Sequence, residues 1–189
     1  MNLEIDCQKT TTKLTEFIQS EVKKAGFKKV IIGLSGGIDS AVSLVLAVKA
    51  LAKENVFVVI LPYGKENKKD LEDALLMIKH LKIPFQNLIQ INIQSMVDSF
   101  LITAKDADQI RKGNIIARVR MILLYDLAKK HQALVCGTEN KSEHVLGYYT
   151  RFGDEASDLE PIRGYYKTQI RQLAEFLNIP EKIINKPPS

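Results

Sequence analysis

Two serines, two glycines and a carboxylate fall within six residues, Ser35-Gly36-Gly37-Ile38-Asp39-Ser40, between a β-branched run and a helix-forming one. Upstream, Val30-Ile31-Ile32 reads as a buried parallel strand. Downstream, Ala41 to Val48 has helical length and Ala/Leu content, which starts a helix near Asp39. Strand, glycine turn and helix N-terminus in that order form an anion cradle. The glycines let backbone close on a ligand, and the free N–H groups and helix dipole favour negative charge. Asp39 decides which anion chemistry fits. A carboxylate repels a bare phosphate, so its place inside the cradle implies a divalent cation between the two. The nucleotide P-loop is excluded, because no Gly-Lys-Ser/Thr follows at its spacing. The adjacent glycines also miss the G-x-G-x-x-G dinucleotide fingerprint. The bland alternative is a capped glycine turn with nothing bound.

The elements that must hold this loop are legible from periodicity. An amphipathic helix is expected from about Asp6 to Ala25, with Leu14, Phe17, Ile18 and Val22 on one face and Gly26 as its stop. Strands are expected at Lys29 to Gly33, Val56 to Leu61, Leu88 to Ile91 and Ala133 to Cys136. Helices are expected from Asp39 to Lys53, after the polar Tyr63 to Lys69 loop, from Ile93 to Ala104 and from Asn114 to His131. The last carries apolar residues (Ile115, Ile116, Val119, Ile122, Leu123, Leu127) on more than one face, which implies burial on two sides, within one core or against another subunit. Strands alternating with helices imply parallel β–α–β units. The expected fold class is therefore α/β, a parallel sheet with helices on both faces. Ligands in such sheets bind beyond the C-terminal strand ends, where Ser35 and Gly137 both lie.

Composition narrows the function classes. A chain of 189 residues with 46% hydrophobic and 26% charged residues can bury one domain's core without disulfide staples, so a single domain over 1–189 is expected. The polar, acidic start, Met1 to Asp6, predicts no signal peptide, and no apolar stretch approaches the ~18–20 residues of a membrane span. Cys7 and Cys136 form neither a Cys-x-x-Cys pair nor a metal spacing, which suits reduced thiols and a cytoplasmic location. The net charge of +5 is dispersed, with no Trp and no basic run interleaved with aromatics. That pattern favours phosphorylated small molecules over nucleic acid as partners. His80, His131 and His144 show no metal or triad spacing.

The glycine loop resembles the SGGxDS pyrophosphate loop of the ATP pyrophosphatases, which transfer AMP to a substrate oxygen and release pyrophosphate. A second run is more specific. Gly137-Thr138-Glu139-Asn140-Lys141-Ser142-Glu143 leads through Gly147-Tyr148-Tyr149-Thr150-Arg151-Phe152-Gly153-Asp154 to Asp158, Pro161-Ile162 and Lys167-Thr168-Gln169. This order resembles the GT-x-N/H-x-x-E…GY/FFTK-x-GD…PI/L…K-x-Q region of the ammonia-dependent NAD synthetases, and the resemblance spans nearly the whole chain.

The resemblance implies an adenine-nucleotide α-hydrolase-like (Rossmann-like) sandwich and a ligase that converts deamido-NAD, ATP and ammonia to NAD, AMP and pyrophosphate through an acyl-adenylate. It implies ATP contacts at Gly33, Leu34, Ser35, Gly36, Gly37, Ile38, Asp39, Ser40, Thr138, Lys167 and Ser189, with the Ser35 and Ser40 hydroxyls on the phosphates. Asp39 and Glu143 would hold Mg²⁺, and Asp39 and Lys167 carry the catalytic roles. Arg118, Arg151 and Asp158 match the deamido-NAD contacts, with Arg151 standing where Lys is usual, a change that keeps charge but alters hydrogen-bond geometry. A homodimer is the implied assembly. Taken alone, Glu143 reads as a solvated helix-start acid, Arg118 as a snorkelling cation and Lys167 as a surface residue. Ammonia rather than glutamine is the expected nitrogen source, because a glutamine amidase needs its own nucleophile and domain. The resembled family continues beyond Pro187-Pro188-Ser189 into a loop over ATP, so the expectation for a chain ending at Ser189 is retained ATP binding with adenylate lost to water. Two alternatives stand beside the leading one: another ATP pyrophosphatase, and a catalytically impaired adenine-nucleotide-binding protein.

Overall fold

The computed structural model describes residues 3–64 and 68–187. Four strands, β1 (Lys29–Gly33), β2 (Val56–Ile60), β3 (Leu88–Gln90) and β4 (Ala133–Cys136), form one sheet in the order β3-β2-β1-β4. Every pairing is parallel, with Val30 opposite Val56 and Leu134, and Val58 opposite Leu88. Around it run α1 (Cys7–Lys24), α2 (Ile38–Leu51), α3 (Lys68–Leu81), α4 (Gln94–Thr103), α5 (Gln109–His131), α6 (Lys141–Leu146), α7 (Lys167–Phe176) and α8 (Glu181–Ile184). The expected α/β class with helices on both faces is the one observed.

The alternation of side chains along a strand divides the core in two. Val30, Ile32, Val56, Val58 and Ile60 face a larger cluster built with α1, α2, α3, α7 and α8. Ile31, Phe57, Val59, Ala133 and Val135 face a smaller one, with Val97 of α4 and Val119, Leu127 and Ala128 of α5. Burial on both faces is why these strands read as unbroken apolar runs. Helix α2 is buried on nearly every side, from Ile38 to Ala50, and its start is therefore fixed by packing. No helix among the described residues is long and apolar enough to cross a membrane.

Two expectations change in detail. Helix α5 starts at Gln109 rather than near Asn114, because the Asp108 carboxylate accepts from the Arg111 N–H and caps the helix inside a stretch that reads as a turn. Its outer face is also not fully covered: Ile110 and Ile122 are exposed.

The crossover into β3 is tied down by Asn87, which is buried and whose Nδ2 donates to the Lys53, Glu54 and Val56 carbonyls at 3.1, 3.0 and 3.2 Å. Asn87→Ala removes that shared donor and should lower unfolding free energy by about 2 kcal/mol, read as a lower urea midpoint at unchanged slope.

Candidate active site

The glycine loop leaves β1 at Gly33 and enters α2 at Ile38. Leu34 and Ile38 point into the core and Gly36 is buried, so the loop meets a ligand with Ser35, Gly37 and Asp39. Gly36 has φ +78°, and a Cβ there would lie 2.3 Å from the Asp70 carbonyl oxygen of α3, so only glycine lets the two segments close. The helix cap, Gly37, supplies no side-chain acceptor. The first intrahelical bond is Ala41 N–H to Gly37 O at 3.1 Å, which leaves the Ile38, Asp39 and Ser40 N–H groups as the helix's unsatisfied donors.

The two serine hydroxyls are engaged with each other and with the loop backbone. Ser40 is buried and donates to Gly37 O at 3.0 Å, while accepting from Ser35 N at 3.3 Å. With that proton committed, Ser35 is the donor in the 3.1 Å contact between the hydroxyls, and its own oxygen accepts from Gly37 N–H at 3.2 Å. The serines clasp the loop in shape, and the backbone N–H groups are left to meet an anion.

Asp39 is the point where three segments meet. Its Oδ2 is ion-paired with Nζ of Lys167, the first residue of α7. Its Oδ1 accepts from Asn140 Nδ2 at 3.0 Å. Asn140, fully buried, also caps α6: its side chain accepts from the Glu143 N–H at 3.1 Å, and its own N–H donates to the Glu143 carboxylate at 3.2 Å. The Lys167 N–H in turn donates to Ser142 Oγ at 3.1 Å. The structure thus brings Asp39, Glu143 and Lys167 together, as expected, and adds Asn140 and Ser142. Residue type and spacing do not mark Asn140 as a ligand-site residue, but the Asn140-x-x-Glu143 capping pattern is the local signal that places it.

The charges explain what this site can hold. Burial first, and then the Asp39 carboxylate, push the Glu143 pKa up, with the Asn140 N–H and Lys167 opposing them. Two hard carboxylates near one ammonium are a donor set that suits Mg²⁺, which takes one or two protein carboxylates and completes its shell with phosphate and water. Among the described residues no cluster of three or more His, Cys, Asp or Glu side chains is placed to hold a metal alone.

The other expected residues are distributed around this centre. Thr138 lies half-buried just past β4. Arg118 on α5 donates through Nε and Nη2 to the Arg151 carbonyl at 3.4 and 3.2 Å, and the Arg151 guanidinium lies 4.8 Å from the centre of the Phe152 ring. The Arg118 side chain is therefore tied to the backbone of Arg151, and both residues are exposed. Asp158 is held elsewhere, at the open edge of β4, where its carboxylate accepts from Val135 N–H at 2.7 Å. Ser189 lies outside the described residues.

Behind Gly137 is a second group of acids. A Cβ on Gly137 would meet Glu160 Oε1 at 2.6 Å, so the missing side chain admits this carboxyl to the strand end. Burial, then the charge of Glu139, push the Glu160 pKa up to about 7, against a hydrogen bond from Ser157 that favours the charged form. Glu139 is also buried and raised, mainly by desolvation. Arg163 stands 3.9–4.0 Å from Glu139, Glu155 and Glu160 and serves all three.

Comparison with known proteins gives a consistent picture. A family model described as NAD synthase matches residues 10–189. An NH(3)-dependent NAD(+) synthetase of Chlorobaculum tepidum is 46% identical over 188 residues, covering 100% of this chain and 67% of that relative. The solved NH3-dependent NAD synthetase of Campylobacter jejuni superposes with a TM-score of 0.91 at 44% identity, over 96% of this chain and 78% of that one. The NMN synthetase of Francisella tularensis superposes with a TM-score of 0.90 at 35% identity, over 98% of this chain and 76% of that one.

The raised Glu160 has a measurable consequence. Its folded pKa of about 7 lies well above the ordinary glutamate range, so the folded state binds the proton more tightly than the unfolded one. That contribution is fully present below the unfolded pKa and is lost as pH rises through the folded one. Glu160→Gln, which stays neutral, should be more stable than the parent near pH 8 by about 1–3 kcal/mol, with the difference shrinking toward about pH 5 in thermal melts.

Proposed function

The chain belongs to the NAD synthase family, and on that premise we propose that it converts deamido-NAD, ATP and ammonia to NAD, AMP and pyrophosphate. The observation that carries this reading is the Asp39–Lys167 pair, bridged by Asn140 to Glu143, at the mouth of a helix N-terminal anion cradle.

A carboxylate cannot be amidated directly, because oxide is too poor a leaving group. Transfer of AMP to the nicotinate carboxylate, with its oxygen attacking the α-phosphorus and pyrophosphate departing, makes AMP the leaving group instead. Ammonia then adds to the acyl carbon and expels AMP. The N–H groups at the start of α2 would bind the phosphate chain and hold it in line. Lys167 supplies positive charge where negative charge grows between the α-phosphorus and the departing pyrophosphate. Asp39 and Glu143 would hold Mg²⁺, which, when bound, neutralises phosphate charge and polarises the P–O bond. Arg118 and Arg151, both exposed, offer charge to the phosphates of deamido-NAD, and Asp158, whose carboxylate already accepts from Val135 N–H, would reach it only through its remaining lone pairs.

We further read residues 1–189 as one catalytic domain acting in the cytoplasm. Exposed Phe100 and Ile102 on α4 and Ile110 and Ile122 on α5 support a homodimer formed across that face. Relatives that share 44–46% of residues over almost the whole chain are named NH(3)-dependent, which favours ammonia as the nitrogen donor. The likeness to an NMN synthetase makes the mononucleotide acceptor the reading to discriminate.

The test is a product assay with ATP, Mg²⁺, ammonium and either deamido-NAD or its mononucleotide counterpart. Acceptor-dependent AMP and pyrophosphate, with NAD as the favoured product, is the expected outcome; ADP and phosphate would refute it. Asp39→Asn removes one metal-binding charge and the partner of Lys167, and should lower kcat at least roughly a hundredfold. Equimolar glutamine, free of ammonia, should give little NAD.

A further inference from the structure

The glycine loop has a partner that the chemistry above does not use. After α8 the chain brings Lys186 under the loop, where its ammonium makes three hydrogen bonds: to the Gly36 carbonyl at 3.1 Å, Asp70 Oδ1 at 2.6 Å and Asp73 Oδ2 at 3.0 Å. These satisfy all three ammonium donors. Lys186 keeps only 19% of its side chain exposed and Asp73 only 3%, so this is an interior junction of the loop, α3 and the segment after α8.

The bond to Gly36 controls more than one oxygen. A peptide unit is planar and trans, so the Gly36 C=O and the Gly37 N–H lie in one plane and point in opposite directions. Drawing the carbonyl onto Lys186 therefore aims the Gly37 N–H the other way, where it donates to Ser35 Oγ at 3.2 Å and supports the serine clasp. Glycine is the residue that resists rotation of a peptide unit least. Without Lys186, the 36–37 peptide could rotate, swing a carbonyl oxygen toward the phosphates and release the clasp.

We propose that Lys186 is a positioning residue of the phosphate loop: it holds the Gly36 carbonyl away from the ligand face and locks the loop onto α3 in its anion-binding form. Lys186 touches no reacting atom. It acts through Gly36, and it rests on the reading of this loop as the ATP phosphate site.

Lys182 provides the control, because it pairs with the same Asp73, at 2.7 Å, without contacting the loop. Lys186→Met should raise the ATP Kd and KM about tenfold or more, with the KM for deamido-NAD changed less than about twofold. Lys182→Met should leave ATP affinity within about twofold even where its melting temperature falls. Asp70→Asn, at a partly exposed acid, weakens the Lys186 anchor without stranding a buried charge; it should raise the ATP Kd about threefold and covers the case in which Lys186→Met does not fold. ATP affinity unchanged in Lys186→Met or, failing its folding, in Asp70→Asn overturns the proposal. An equal loss of affinity in Lys182→Met does so too, because it would make the effect one of general stability. Failure of the unmodified chain to bind ATP overturns the functional reading, and this one with it; normal binding by the unmodified chain and by the variant overturns this one alone.

Discussion

A carboxylate at the mouth of an anion cradle is a repulsion that the rest of the molecule has to manage. Asp39 sits in the first turn of α2, where the helix dipole stabilises it and equally attracts the phosphates it opposes. Lys167 answers the charge, and both side chains are mostly withdrawn from water, with 29% and 15% exposure for Lys167 and Asp39. Breaking such a pair by removing one partner leaves the other charge partly buried and uncompensated, which ties the start of α7 to the start of α2. Asn140 completes the arrangement. It is fully buried, so its amide must be satisfied inside the protein, and Asp39 and the capped turn of α6 are what satisfy it. The ion pair therefore sets the relative positions of three helix starts at the strand ends.

The two faces of the sheet contribute differently to this geometry. On the α2 side the packing is dense, and Leu44, Leu46, Ile170 and Leu173 are without solvent exposure. A helix buried all round cannot tilt without opening cavities, which makes the phosphate cradle a rigid part. On the α5 side, Arg118 and Arg151 are exposed and held through one carbonyl. Long, solvated cations can adjust to a ligand at small cost, whereas the cradle cannot. Rigidity falls where charge must be placed within tenths of an ångström, and adaptability where a large flexible substrate must be gathered.

How much of this was legible follows from how local each cause is. The cradle was legible because its parts are consecutive: strand, glycine pair, acid and helix occupy one short segment. The strands were legible because burial on both faces writes itself as apolar runs. Asn140 carried a local signal in its capping pattern, but its bond to Asp39 spans the chain and leaves no periodicity. The start of α5 was misplaced because Asp108, in a polar stretch, caps a helix instead of making a turn. The serine clasp was hidden for a different reason. Residue type shows that Ser35 and Ser40 own hydroxyl protons, but only the folded loop shows which acceptors take them. Lys186 was invisible for the same reason, since nothing near it in sequence points to Gly36 or Asp73.

The charge balance around β4 explains why the cradle needs more than backbone donors. On one side of the Gly137–Asn140 turn stand Asp39 and Glu143 with Lys167; on the other stand Glu139, Glu155 and Glu160 with Arg163. Glu139 raises the pKa of both Glu143 and Glu160, so the two groups feel each other through the turn. The acids outnumber the cations on each side. A nucleoside triphosphate entering this field brings several further negative charges, and the partial charge of one helix end, about half an elementary charge, cannot balance them. Protonating Glu160 relieves the far side, at the cost of making its charge depend on pH near neutrality. On the near side Lys167 answers the Asp39 charge. Asp39 and Glu143 on that side are hard oxygen donors of the kind that a divalent cation accompanying a nucleotide takes.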